Sequence, residues 1–95
     1  MLAKIIGTLL AINFSKYIFV MIRYSNLNGS SNVFSFEIGT DSITIQFYDG
    51  SVYLYNYFST GSANVEQMKN LARLGRGLNS FISRVIKKKY ASKLR

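Results

Sequence analysis

Between Val33 and Tyr57 the chain alternates apolar with polar side chains, the period of a half-buried β-strand. In VFSFEI, Phe34, Phe36 and Ile38 fall on one side and Ser35 and Glu37 on the other. In ITIQFYDGSVYLY, residues 43 to 55, Asp49-Gly50 tolerates the two positive-φ positions of a type I′ turn. This predicts a two-residue loop, with Phe47 opposite Val52 and Ile45 opposite Leu54. That register collects Ile43, Ile45, Phe47, Val52 and Leu54 on one face. Tyr48, Tyr53, Tyr55 and Tyr57 go to the other face, with Ser42, Thr44 and Gln46. A turn through Gly39-Thr40-Asp41-Ser42 sets Ile38 beside Ile43, Phe36 beside Ile45 and Phe34 beside Phe47. The three strands form an antiparallel meander with one continuous apolar face.

After this stretch the period changes to that of a helix. Val65, Met68, Leu71, Ala72 and Leu74 share one helical side, and Asn64 with Gln67 three positions later fits a capping box, with Ser62 as the competing N-cap. Gly75-Arg76-Gly77 stops that helix, one glycine serving as a left-handed C-cap. Leu78, Phe81, Ile82, Val85, Ile86 and Tyr90 then mark a second amphipathic helix. The predicted fold is α+β: a three-stranded antiparallel β-meander followed by two amphipathic helices packed on its aliphatic face. Ahead of the meander, NLNGSSN reads as a loop. Residues 1–20 are apolar, but Lys4, Asn13 and Lys16 interrupt them, so neither a spanning helix nor a secretory signal is well formed. They are expected to be an extension or an added packed element, with membrane contact as the remaining alternative, and the working domain to be 21–95.

Composition narrows the chemistry. At 95 residues the chain supports one core, and with no cysteine, no histidine and only Glu37, Asp41, Asp49 and Glu66 as carboxylates it is poorly equipped for acid–base, thiolate or metal chemistry. No enzyme and no cofactor is expected, and the absence of cysteine favours the cytoplasm. Charge adds more. Up to residue 68, Lys4, Lys16 and Arg23 face four carboxylates, whereas Lys69, Arg73, Arg76, Arg84, Lys87, Lys88, Lys89, Lys93 and Arg95 follow with no acid among them. The whole excess of a +8 chain is C-terminal, which favours RNA or another polyanion as partner, with a protein partner or homodimer as the alternative.

The stretch SSNVFSFEIGTDSITIQFYDGSVYLYNYF resembles the KTSC domain, a short module found at the C-terminus of some lysyl-tRNA synthetases and as small stand-alone bacterial and phage proteins. The resemblance rests on Ser30-Ser31-Asn32-Val33, on Phe47-x-x-Gly50 leading to Tyr53-x-Tyr55, and on Gly75, Asn79 and Ile82. The proline usual after the Tyr-x-Tyr strand is replaced by Tyr57-Phe58-Ser59, and the segment before the first helix is longer. The function the resemblance implies is RNA binding. From the residues themselves, Tyr53, Tyr55 and Tyr57 form a candidate base-stacking platform, or else cross-strand packing. Arg73 and Arg76 beside the interhelix turn, with Arg84, Lys87 and Lys88, are candidate phosphate contacts, or else a solvated basic face. An anionic nucleotide beside Arg76 is the small-ligand alternative.

Overall fold

The computed structural model describes residues 21–95; residues 1–20, and the readings attached to them, lie outside the described residues. Five antiparallel strands lie in chain order: β1 (Ile22–Arg23), β2 (Val33–Ile38), β3 (Ser42–Phe47), β4 (Val52–Asn56) and β5 (Ser92–Lys93). After β4 come α1 (Tyr57–Thr60), α2 (Ser62–Leu74) and α3 (Leu78–Phe81), the last running into a π-helical turn, Ile82–Ile86. No helix among the described residues is long and apolar enough to cross a membrane.

The β2–β3 register is the expected one over most of its length, with Ile38 opposite Ile43 and Phe36 opposite Ile45. A bulge then sets Val33, not Phe34, opposite Phe47, so Val33 enters the core. Phe34 turns to the other side of the sheet, where its ring meets Tyr48 edge-on and the Arg23 guanidinium lies 4.2 Å above it.

The β3–β4 register departs from expectation by one residue. Ile43 faces Tyr55, Ile45 faces Tyr53, and Gln46 faces Val52. The cause is the turn. Gly50 takes a positive φ of 91°, while Asp49 does not, so a type I turn with a glycine bulge replaces the type I′ turn. The Phe47 N–H donates to Ser51 C=O and the Gly50 N–H to Phe47 C=O, both at 2.9 Å. Asp49 Oδ1 accepts from the Ser51 N–H at 2.9 Å and the Ser51 hydroxyl at 2.6 Å, which fastens this form of the turn. One extra loop residue inverts every side chain of β4 relative to β3. Tyr53 and Tyr55 therefore join Ile43 and Ile45 on the helix-covered face, and Val52 and Leu54 move to the other.

Beneath the helices, Val33, Phe36, Ile43, Ile45 and Tyr55 meet Val65, Met68, Ala72, Leu78, Ile82 and Ile86. Each fully buried Ile, Leu or Met contributes about 1.5–3 kcal/mol, so sheet and helices depend on one another. The expected capping box does not form. Asn56 instead caps α1, accepting from the Ser59 N–H at 2.9 Å, and Gly61 at φ 97° leads straight into α2. At the far end of α2 the anticipated glycine cap is present: Gly75, at φ 79°, donates to Leu71 C=O at 3.0 Å.

The last helix is shorter than its periodicity suggested. The Lys87 N–H donates five residues back, to Ile82 C=O, which widens the turn; Ile86 is buried and Val85 is exposed. Lys87, at φ 54°, ends the helix there, so Tyr90 belongs to the segment returning to the sheet. Such π turns and positive-φ residues cost energy and concentrate at functional places.

Candidate nucleic-acid interface

The return segment builds a groove. Thr60 Oγ1 donates to Lys89 C=O at 2.6 Å, and the Ala91 N–H donates to Leu54 C=O at 2.7 Å. Held at both points, the chain lays Tyr90 against Tyr53, ring centres 4.7 Å apart and tilted by 63°, and edge-on to Tyr55 at 6.4 Å. Phe47 meets Tyr53 edge-on at 5.8 Å, completing four contiguous rings. Lys87 and Lys88 stand at the rim of a groove of about 310 Å³ lined by Phe47, Tyr53, Tyr55 and Tyr90. Lys93, paired across from Tyr53 in β5, carries its Nζ 5.8 Å above that ring. Aromatic floor and cationic rim are the two parts that base stacking and phosphate attraction require.

Comparison with protein-family models, curated proteins and solved structures finds no match for the chain.

The three tyrosines singled out from the sequence do not make a platform. Tyr55 is 2% exposed, and burial, reinforced by the neighbouring Tyr53 and Tyr90 phenols, pushes its pKa up to about 12. It is core, because the β4 inversion aims it beneath the helices. Tyr53 remains half-buried with an edge in the groove. Tyr57 stands apart on α1, where its hydroxyl donates to Glu66 Oε2 at 2.6 Å; that bond, foremost, raises its pKa. Of the expected phosphate contacts, Lys87 and Lys88 reach the groove, Arg73 and Arg84 are exposed on α2 and the π turn, and Arg76 lines a different hollow. Lys69, counted with the basic half, is internal. Its ammonium pairs with Glu66 at 2.9 Å and donates to Thr40 C=O at 2.8 Å.

Phe47, Tyr90 and Lys93 were missing from the sequence-based site. Tyr90 followed the apolar spacing of the last helix, which masked it as core. Its position one residue after three lysines was the available signal.

The hollow beside Arg76 is smaller, about 80 Å³, and polar. It lies where the loop after β1 meets the α2–α3 turn, joined by the Leu27 N–H donating to Gly75 C=O at 2.8 Å. A methyl on Gly75 would lie 2.6 Å from Ser25 Cβ, so this close approach admits glycine alone.

Proposed function

We propose that the chain is a small non-enzymatic binding module for RNA or other single-stranded nucleic acid, of the KTSC kind its sequence resembles. The observation that carries the reading is the groove in which Tyr53 and Tyr90 pack against each other beneath Lys87, Lys88 and Lys93. A base stacks on the ring surface that Tyr53 and Tyr90 leave accessible in the groove, while the lysines meet the flanking phosphates. Stacking is indifferent to base identity and ammonium groups read only charge, so little sequence preference is expected.

The test is fluorescence anisotropy with a labelled single-stranded oligoribonucleotide. Three lysine contacts give log K against log salt a slope of about −2. Tyr90→Ala should weaken binding about tenfold, as loss of one stacked base does. Because Tyr90 also packs on the sheet, the Lys87→Gln, Lys88→Gln double variant is the control, expected to lower affinity and flatten the slope without moving the melting temperature. Wild-type affinity in both variants would discard the groove. A second reading, a site for one anionic nucleotide, draws on the groove's about 310 Å³, at the lower end of the range for ligand pockets. Mononucleotide binding that survives high salt would favour it.

A further inference from the structure

Among the groups that line the hollow beside Arg76, Tyr24 and Ser31 have an acceptor engaged and a hydroxyl proton left over. Tyr24, 2% exposed, accepts from the Leu78 N–H at 3.3 Å, so its own O–H proton is left over; no oxygen among the described residues receives it. Ser31 Oγ accepts from the Val33 N–H at 3.0 Å and likewise keeps its hydroxyl proton. Asn26 spends its amide oxygen on the Ser31 N–H at 3.1 Å. Arg76 has donors only, and no carboxylate lines the hollow. Burial raises the Tyr24 pKa, keeping the phenol protonated and able to donate.

A cation finds no carboxylate here and an apolar group finds little apolar wall. At about 80 Å³ against about 310 Å³ for the groove, the hollow takes a group of a few heavy atoms and no ring system. The geometry points to an oxyanion site of phosphate-monoester chemistry, in which the Arg76 guanidinium and the Tyr24 and Ser31 hydroxyls donate to the anion's oxygens. It is separate from the aromatic groove, sharing no lining residue with it. A planar guanidinium with two parallel N–H groups matches two oxygens of a phosphate, which a lysine at this position would not.

The experiment is titration of the isotope-labelled full chain with inorganic phosphate at constant ionic strength, followed by amide chemical shifts. Saturable shifts confined to the segments that line the hollow, residues 24–31 and 76–80, are expected. Arg76→Gln, on the surface and safe for folding, should weaken phosphate about tenfold or more, as loss of a bond to a charged partner does. Tyr24→Phe should weaken it several-fold. Two arms separate the sources. Competition by a nucleoside 5′-monophosphate assigns the hollow to free nucleotides. Competition by a 5′-phosphorylated oligoribonucleotide, where its 5′-hydroxyl counterpart fails, assigns it to strand ends, and either upholds the site. Absence of saturation, or wild-type phosphate affinity in Arg76→Gln, overturns it whatever the fate of the groove.

Discussion

The two hairpins of the sheet carry similar amphipathic patterns, yet only the first keeps the register its sequence suggests near its turn. From Ser35 to Ile38 of β2, Phe36 and Ile38 alternate with Ser35 and Glu37, so a slip of one residue there would turn the Glu37 carboxylate toward the helices and Phe36 and Ile38 away from them. In β4 both parities are apolar: Val52 and Leu54 on one, Tyr53 and Tyr55 on the other. A slip there exchanges one set of greasy groups for another. Burial therefore decides the first hairpin and the turn decides the second. The turns differ accordingly. Asp41 and Thr40 in the first are clamped from outside, by the Tyr57 N–H at 3.0 Å and by Lys69, whereas the second is held by its own Asp49 and Ser51.

The largest expected effect separates the two β4 registers directly. Tyr55→Ala should cost about 3–5 kcal/mol, the range for truncating a large buried aromatic. Leu54→Ala should cost under about 2 kcal/mol, because a half-buried leucine gives up less transfer energy and leaves no closed cavity. Urea denaturation of both variants measures the difference. A larger loss at Leu54 would restore the two-residue loop, as would cross-strand NOEs from Ile45 to Leu54 in place of Tyr53.

A smaller effect comes from pH. An open-face Tyr55 would titrate near its ordinary value of about 10. Buried beneath the helices, its phenol holds its proton up to about 12. In that interval the unfolded chain has released a proton that the folded chain retains, so stability is complete below pH 10 and falls as pH rises toward 12. The loss is on the order of 2 kcal/mol, and Tyr55→Phe should remove that part of the slope. Raised values for Tyr24 and Tyr57 act in the same direction and persist in the variant. Equal alkaline slopes for the two proteins would return Tyr55 to solvent.

What the sequence made legible follows from the same physics. The alternation of Phe36 and Ile38 in β2 and the 3.6 period over Val65, Met68, Leu71 and Ala72 lead to the observed core, whereas Phe34 faces the other side of the sheet and Leu74, expected on the same helical side, is exposed. The glycine cap of α2 was legible because Gly75 stands immediately after the last periodic residue. The bulge at Phe34, the π turn at Ile82–Ile86 and the extra residue of the β3–β4 loop are insertions of one residue into a regular ladder, to which hydrophobic period is blind. Two of the three fell around the site. The β4 inversion removed Tyr55 from solvent and kept Tyr53 at the groove, and the early end of the last helix at Lys87 released Tyr90 to join it. The basic half was read from charge alone, and charge does not reveal that Lys69 is spent internally while Lys93 stands over a ring.

The smallest expected effect tests the turns themselves. Gly50, at φ 91°, has open space where a side chain would stand, so Gly50→Ala meets no clash and isolates backbone strain. An L side chain in that left-handed region should cost about 1–2 kcal/mol. Gly39 has no positive φ, and a methyl there would press on the Ser42 hydroxyl, which can rotate away. Gly39→Ala should therefore cost under about 0.5 kcal/mol, within the range of ordinary surface substitutions. Thermal melts of the pair, run against Asp49→Ala, would show the second turn as the one that sets its own hairpin. Greater sensitivity at Gly39 would mean that the external clamps on Thr40 and Asp41 fix the register of the whole sheet, and that the Asp49-Gly50 turn merely follows.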